Sequence, residues 1–234
     1  MESLQILITG ANRGLGLELA AEFLRRGHRV CAINRNTSDA WSALEKQYSQ
    51  KSYQAPGDVA DEDSIEKALH CIAVKFGHLD LIINNAGVHW EQTNPLIEDA
   101  DLSVYAKTYE VNSVGPLRVV KHSLPLLRQG RLKLIANISS ESGSIGSSRR
   151  RSEYSYCMSK AALNMACKIL QNSLKDEGIK VLAVHPGWFR SDMGGPAAPI
   201  STAESARAVA ELLLKPVDLD GPIYVDLHGD EMEW

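Results

Sequence analysis

Short, almost continuous apolar runs recur along the chain, separated by segments with helical periodicity. The runs are Leu4–Thr9, Arg29–Asn34, Tyr53–Asp58, Leu79–Asn84, Leu132–Ser139, Lys180–His185 and Pro222–Asp226. Runs of this length that stay apolar at successive positions predict strands covered on both faces, as in a parallel sheet. Between them, Gly14–Arg26 places Leu15, Leu19 and Phe23 on one helical face. Asp61–Phe76 opens with an acidic first turn, which suits the positive end of a helix dipole. Val111–Arg128 and Tyr154–Glu177 are longer helical patterns, and Thr202–Leu214 follows a Gly/Pro-rich loop at Gly194–Pro199. About seven strands alternating with at least six helices predict an α/β fold. Right-handed crossovers then build a doubly wound parallel sheet with helices on both faces. No linker, tandem repeat or low-complexity stretch interrupts the pattern, so residues 1–234 read as a single domain. Ligands are expected beyond the carboxyl ends of the strands.

The first such end carries Thr9-Gly10-Ala11-Asn12-Arg13-Gly14-Leu15-Gly16. Glycines at 10, 14 and 16 permit a tight turn and a close backbone approach to a pyrophosphate, and the next helix adds its positive N-terminal end. The spacing is GxxxGxG rather than the more familiar GxGxxG. In this position it predicts a dinucleotide cradle, hence a Rossmann fold. Gly10, Asn12, Arg13, Gly14, Leu15 and Gly16 are the candidate contacts. Asp58, at the end of the third run, offers a carboxylate to an adenine amino group, with Val59 beside it; a helix cap is its other reading. Asn84-Asn85-Ala86-Gly87 ends the fourth run and leaves room for a ribose. The second run ends Ala32-Ile33-Asn34-Arg35-Asn36, without the acidic residue that usually meets the ribose 2′-hydroxyl of NAD. Arg35 instead presents a fork for a 2′-phosphate, with Arg13 as a second cation. NADP(H) is therefore the expected cofactor and NAD(H) the secondary one.

Tyr156-Cys157-Met158-Ser159-Lys160 places a phenol and an ammonium on one helix face at i,i+4. A phenol near pKa 10 is a poor base, and a nearby ammonium is expected to lower that value. The tyrosine then donates a proton to a carbonyl oxygen as hydride arrives, or takes it back in oxidation. Asn137-Ile138-Ser139-Ser140 closes the fifth run, where a serine hydroxyl can hold the carbonyl oxygen. Asn112, in the middle of a helical pattern, is locally unfavourable unless its side chain positions a water or Lys160. His185-Pro186-Gly187-Trp188 turns the chain at the end of the sixth run.

This set resembles the short-chain dehydrogenase/reductase family, in its TGxxxGxG and YxxxK subtype, from Thr9 to about Ser191. The motifs stand in the family's order. The resemblance implies catalytic roles for Asn112, Ser140, Tyr156 and Lys160, the second serine of the pair being the one that matches. It further implies that Lys160 contacts the nicotinamide ribose, that Asn85, Ala86, Gly87, Pro186 and Gly187 line the cofactor, and that Ser191 replaces a carboxamide-binding threonine. Within the family, Gly-Ala-Asn-Arg-Gly-Leu-Gly, Pro-Gly-Trp-Phe-Arg-Ser-Asp-Met-Gly-Gly and Trp234 look like the C-factor and sniffer-like carbonyl reductases. The Asp192–Gly195 region is usually a mobile flap there. The resemblance also implies a homodimer or homotetramer, built through the Val111–Arg128 and Tyr154–Glu177 helices.

Composition narrows the alternatives. A net charge of −4 excludes a uniform basic footprint for nucleic acid. No apolar run approaches the ~20 residues of a membrane helix. The opening residues enter a strand-like run directly, without a signal-peptide layout. Cys31, Cys71, Cys157 and Cys167 match no zinc template, and no metal is expected; they read as reduced thiols of a cytoplasmic protein. The substrate expected is a small-molecule carbonyl or alcohol. The rival reading is a dinucleotide-binding signalling or sensor protein of the C-factor type, which has no need of all four catalytic-type residues. An epimerase or dehydratase needs a larger substrate domain than this chain carries.

Smaller features bear on the substrate. Arg149-Arg150-Arg151 lies between Ser140 and Tyr156, either steering an anionic substrate or forming a solvated loop. Tyr154 is a rival phenol, but two helical residues turn it ~200° from Tyr156, and position i+4 is Met158. It reads as packing or pocket wall. His89 and Trp90 read as pocket lining or structure, His185 as a packed or backbone-bonded histidine, and Trp188 as a pocket or core aromatic.

Overall fold

The computed structural model describes residues 2–90 and 96–234. Seven strands, β1 (Gln5–Thr9), β2 (Arg29–Asn34), β3 (Ser52–Pro56), β4 (Leu81–Asn84), β5 (Leu134–Ile138), β6 (Lys180–Val184) and β7 (Tyr224–Val225), form one sheet. Its order is β3-β2-β1-β4-β5-β6-β7, and every neighbouring pair is parallel. The strand order reverses between β1 and β4, which opens a crevice beyond their carboxyl ends.

Alternate strand residues feed two cores. Ile6, Ile8, Val30, Ala32, Leu81 and Ile83 face α1 (Gly14–Arg25), α7 (Thr202–Leu213) and Trp41 of α2 (Asp39–Gln47). Leu7, Cys31, Ile33, Ile82, Ile135 and Val181 face α3 (Glu62–Phe76), α5 (Gly115–Arg128) and α6 (Tyr154–Leu174). Each fully buried Leu or Ile contributes about 1.5–3 kcal/mol, so both faces hold the strands in place and the strand-end turns inherit that rigidity. Among the described residues no helix is long and apolar enough to cross a membrane.

Local chemistry sets the helix starts. The Asp61 carboxylate accepts from Ser64 N at 3.2 Å and caps α3. Ser201 and Glu204 form a reciprocal capping box on α7. Ser38 caps α2, a helix whose bounds the apolar pattern did not mark: it buries Trp41 and otherwise faces outward.

Several strand ends fall earlier than the apolar runs. β3 stops at Pro56, so Asp58 lies two residues beyond the strand and not at its end. Pro56 lacks the N–H needed to continue a ladder. Nor is Asp58 the helix cap, a role Asp61 takes. β5 stops at Ile138 and β6 at Val184, which puts Ser139, Ser140 and His185 in the following turns. The helical pattern expected from Val111 begins earlier, at α4 (Tyr105–Tyr109), and passes through a π turn at Glu110–Val114 before α5.

Candidate active site

The glycine turn after β1 is tied to its neighbours by Asn12 and Asn85, both expected as cofactor contacts, and by Thr9 and Asn34, which sequence reasoning did not single out. Thr9 Oγ1 accepts from Asn85 N at 3.1 Å and Ala86 N at 3.0 Å. The Asn85 amide donates in return to the carbonyls of Thr9 and Gly10, both at 3.0 Å. Asn34 Oδ1 accepts from Ala11 N at 2.6 Å, and the Asn12 amide donates to Asn36 O at 3.3 Å. The turns after β1, β2 and β4 therefore form one unit.

The three glycines differ in what surrounds them. At Gly10 (φ +67°) a Cβ would sit 3.0 Å from Ala86 Cα, so glycine lets two turns touch. At Gly16 a Cβ would lie 2.3 Å from Gly10 O, which makes that glycine a packing requirement beside the buried Leu15. At Gly14 (φ +56°) no atom lies within 4 Å of a Cβ position. Gly14 starts α1, which has no side-chain cap and no acid in its first turn. Those backbone N–H groups and the space beside them fit a pyrophosphate. At the end of β2, Arg35 is exposed and Asn34 is buried. Arg13 pairs with Asp192 from the loop after β6. Asp58 Oδ1 accepts from Ala60 N at 3.0 Å, and the buried Val59 has its carbonyl held by Arg118 at 3.3 Å.

Beyond β4 and β5 the catalytic-type residues converge. Asn112 lies in the π turn, where one extra residue per turn aims its side chain at the strand β4 exit. Its Oδ1 accepts from Val88 N at 2.8 Å, and its amide donates to Val88 O at 2.9 Å and Ser159 Oγ at 3.0 Å. A Cβ on Gly87 would stand 3.4 Å from Asn112 Oδ1 and 3.9 Å from Lys160 Nζ, so the three meet at one point. Lys160 is buried, and its Nζ donates to Ile138 O at 2.7 Å.

The serine pair divides its labour. Ser139 Oγ donates to Asn164 Oδ1 at 2.6 Å inside the fold. Ser140 Oγ accepts from Ser142 N at 3.1 Å and is hydrogen-bonded to the Tyr156 phenol. Burial pushes that phenol up to about 12, against the lowering effects of the Ser140 bond and of Arg150. Burial also pushes the Lys160 ammonium down to about 8. The expected lowering of the phenol by Lys160 is therefore not what the protein alone produces. Lys160 Nζ lies 5.6 Å from the Tyr156 ring centroid and is engaged by the Ile138 carbonyl.

The rim is formed by loop residues. The His89 ring stacks on Tyr156 with centroids 4.6 Å apart, and its Nε2 is 3.6 Å from Glu153 Oε1. Arg150 bridges Glu141 and Glu153, so the middle arginine of the triplet is engaged by two carboxylates while Arg149 and Arg151 are exposed. Tyr154 sits apart from the phenol of Tyr156, its hydroxyl 3.4 Å from Arg151 O. Trp188 is 56% exposed, not a core residue, and donates to Gly194 O at 2.8 Å. His185 Nδ1 accepts from Glu141 N at 3.2 Å, and burial lowers its pKa. Pro186 O accepts from Ser205 Oγ at 2.6 Å, Gly187 turns at φ +80°, and Ser191 Oγ accepts from Gly194 N at 3.0 Å. Among the described residues no group of three or more His, Cys, Asp or Glu side chains is arranged to hold a metal, and all four cysteines are present as thiols. The contact of His89 with Tyr156 and the stapling role of Thr9 carried no sequence signal, since each depends on turns brought together by the sheet.

Known proteins share this fold. A family model described as short chain dehydrogenase matches residues 5–199. The C-signal protein of Myxococcus xanthus is 39% identical over 162 residues, covering 68% of this chain and 94% of that protein. The carbonyl reductase Sniffer of D. melanogaster superposes with a TM-score of 0.91 at 30% identity, over the full length of both chains. An NADPH-bound carbonyl reductase from chicken fatty liver superposes with a TM-score of 0.88 at 28% identity, again over both full lengths.

Proposed function

The chain belongs to the short chain dehydrogenase family and is an oxidoreductase, and on that premise we propose that it reduces a small-molecule carbonyl to the alcohol with Tyr156 as proton donor. The observation that carries this reading is the hydrogen-bonded Ser140–Tyr156 pair, with the buried Lys160 behind it. A phenol pushed up to about 12 holds its proton at neutral pH, which suits donation rather than abstraction. Ser140 holds the carbonyl oxygen against the phenol. The dinucleotide, when bound, supplies the hydride to the carbonyl carbon. The Tyr156 proton passes to the oxygen, the alcohol leaves, and solvent returns a proton to the phenolate. Lys160 stabilises that phenolate by its charge. Asn112 fixes the Val88 backbone and Ser159, the residue before Lys160, and so orients the lysine and the turn it faces.

NADP(H) is the proposed cofactor, with NAD(H) secondary. The uncapped α1 N-terminus and open Gly14 would hold the pyrophosphate, and Asn12, Asp58, Val59, Ala86, Gly87, Pro186, Gly187 and Ser191, carried on the turns after the strands, are the further proposed contacts. Exposed Arg35 and Arg13 would meet a 2′-phosphate. The carbonyl reductases similar to this chain include an NADPH-bound one, which supports the choice. One continuous sheet supports a single domain, and the thiol cysteines suit the cytoplasm. Met158, Met165 and Ile169 form an exposed apolar stripe on α6, with Leu117 exposed on α5. A second copy of the chain is proposed to cover it, and Met165→Glu should shift the protein to monomer by light scattering. An unshifted mass would refute that interface. A second reading, signalling, rests on the 39% identity to C-signal; it predicts a phenotype that survives loss of the phenol.

The test is a carbonyl panel with NADPH and NADH, run on the wild type and on Tyr156→Phe. The variant should lose about 10²–10⁴-fold in kcat while binding NADPH unchanged. Full activity in Tyr156→Phe overturns the mechanism. The two arginines predict a kcat/KM advantage for NADPH of about 10-fold or more. Equal or better kcat/KM with NADH overturns the cofactor preference.

A further inference from the structure

Tyr224 is one of the largest fully buried side chains and lies on the two-residue edge strand β7, away from the crevice between β1 and β4. Its hydroxyl donates to the Ser140 carbonyl oxygen at 2.7 Å. That oxygen already accepts from Gly143 N at 2.9 Å. The phenol is therefore not needed to satisfy the carbonyl. What the second bond adds is direction, because two donors on one oxygen fix the plane of the peptide that follows Ser140. Asn164 faces the same hydroxyl, accepts from Ser139 and donates to Gly143 O at 3.2 Å. The backbone of the turn is thereby held at Ser140 by Tyr224 and at Gly143 by Asn164.

Tyr224 is itself held by the chain that follows it. Asp226 Oδ1 accepts from the backbone of His228 at 2.8 Å and of Gly229 and Asp230 at 3.0 Å, and this turn sends the chain back antiparallel. Met232 N then donates to Tyr224 O at 3.0 Å. The Trp234 ring packs on the Tyr224 ring with centroids 5.4 Å apart, and Gly146 N donates to Trp234 O at 2.7 Å. Residues 226–234 thus form a strap. One end is pinned on Tyr224, and the other on the loop that leaves Ser140.

We infer that Tyr224 is a positioning residue for Ser140, aiming its hydroxyl at the reacting oxygen through the Ser140 carbonyl, and that Trp234 holds Tyr224 in that place. The inference rests on the catalytic reading of Ser140 and Tyr156 given above. Displacement of a positioned group by about 1 Å is enough to cost on the order of 10²-fold in rate, and a loosened peptide displaces Ser140 by a fraction of that.

The experiment compares Tyr224→Phe, Trp234→Ala and Trp234→Phe with the wild type in carbonyl reduction by NADPH and in alcohol oxidation across pH. Tyr224→Phe is expected to lower kcat by about 10-fold with KM for NADPH unchanged. It should also move the rising limb of the oxidation profile to higher pH, because the Ser140 bond lowers the phenol's pKa. The other groups facing that phenol, Arg150, Glu141, Cys157, His89 and Lys160, are untouched by these substitutions. Trp234→Ala should act in the same direction and Trp234→Phe should restore most of the rate. These two keep the test available if Tyr224→Phe does not fold. A wild-type kcat in Tyr224→Phe, a lowered kcat with an unmoved limb, or a Trp234→Ala loss that Phe does not restore overturns the inference. Ser140→Ala, run alongside, separates the two failures. Full activity there refutes the role of Ser140, while its loss beside an unaffected Tyr224→Phe refutes only the positioning.

Discussion

Replacing each of two adjacent serines by alanine should produce opposite phenotypes. Ser139 is buried, and its hydroxyl donates to Asn164 Oδ1 at 2.6 Å. Ser139→Ala leaves that buried oxygen without this donor, at a cost of about 1–3 kcal/mol. In a domain of this size each kcal/mol lowers Tm by about 2–4 °C, so the loss is about 2–12 °C. Nothing in this bond touches the reacting atoms, and kcat should stay within about threefold, since the group acts on stability rather than on the transition state. Ser140 caps the turn at Glu141–Gly143 through Ser142 N and bonds the Tyr156 phenol. Ser140→Ala gives up a cap worth about 1 kcal/mol, hence about 2–4 °C. It also removes a donor aimed at the developing oxyanion, typically about 10²–10³-fold in kcat, or about 2.7–4 kcal/mol. Thermal unfolding by circular dichroism and steady-state NADPH consumption measure both quantities on the same samples. A kinetic loss in Ser139→Ala equal to or larger than that in Ser140→Ala would refute the assignment.

Lys160 supplies a pH prediction. Its ammonium is held down to about 8 by burial, so the cation is present below that pH and lost above it. In reduction, kcat/KM for NADPH should be flat below about pH 7 and fall roughly tenfold per pH unit above about 8. A flat profile up to about pH 10 would contradict a charged Lys160 in cofactor binding. The glycines of the first turn make a second contrast. Gly14→Ala adds a methyl where no protein atom lies within 4 Å, at a conformational cost of about 1–2 kcal/mol for φ +56°. It should weaken NADPH binding, read by fluorescence titration, and lower Tm by about 2–8 °C. Gly16→Ala drives a Cβ to 2.3 Å from Gly10 O and 2.5 Å from Asn85 Nδ2, so its main effect should be a lowered Tm. Wild-type NADPH affinity in Gly14→Ala would remove the cradle from that glycine.

The apolar runs and their alternation with helical segments determined the sheet, its parallel sense and its two covered faces. That follows because a strand apolar at both odd and even positions, such as Ile6-Leu7-Ile8, can only be buried on both sides. The glycine turn and the Tyr156–Lys160 spacing were equally legible, since both are local: one is a backbone requirement and the other an i,i+4 relation. Helix α2 was not delineated, because its one buried residue, Trp41, leaves almost no periodic signal. The π turn at Glu110–Val114 was also hidden, for its register change has no compositional mark.

What only the tertiary structure decided are relations between strand ends. The family resemblance picked out the second serine of the pair, but no local property of the residues separates the two. They separate because Asn164 on α6 comes within reach of one and Tyr156 within reach of the other. Arg150 was one of three like charges until Glu141 and Glu153 closed on it. The phenol's pKa was expected to fall on the spacing of a lysine, yet burial raises it, since desolvation depends on everything packed around the group and not on one neighbour. Tyr224 and Trp234 lie far along the chain from Ser140 and were invisible to any local pattern. The sheet places β7 beside β6, two strands from β5, whose end leads into Ser140, and that adjacency alone brings their side chains beneath the catalytic turn.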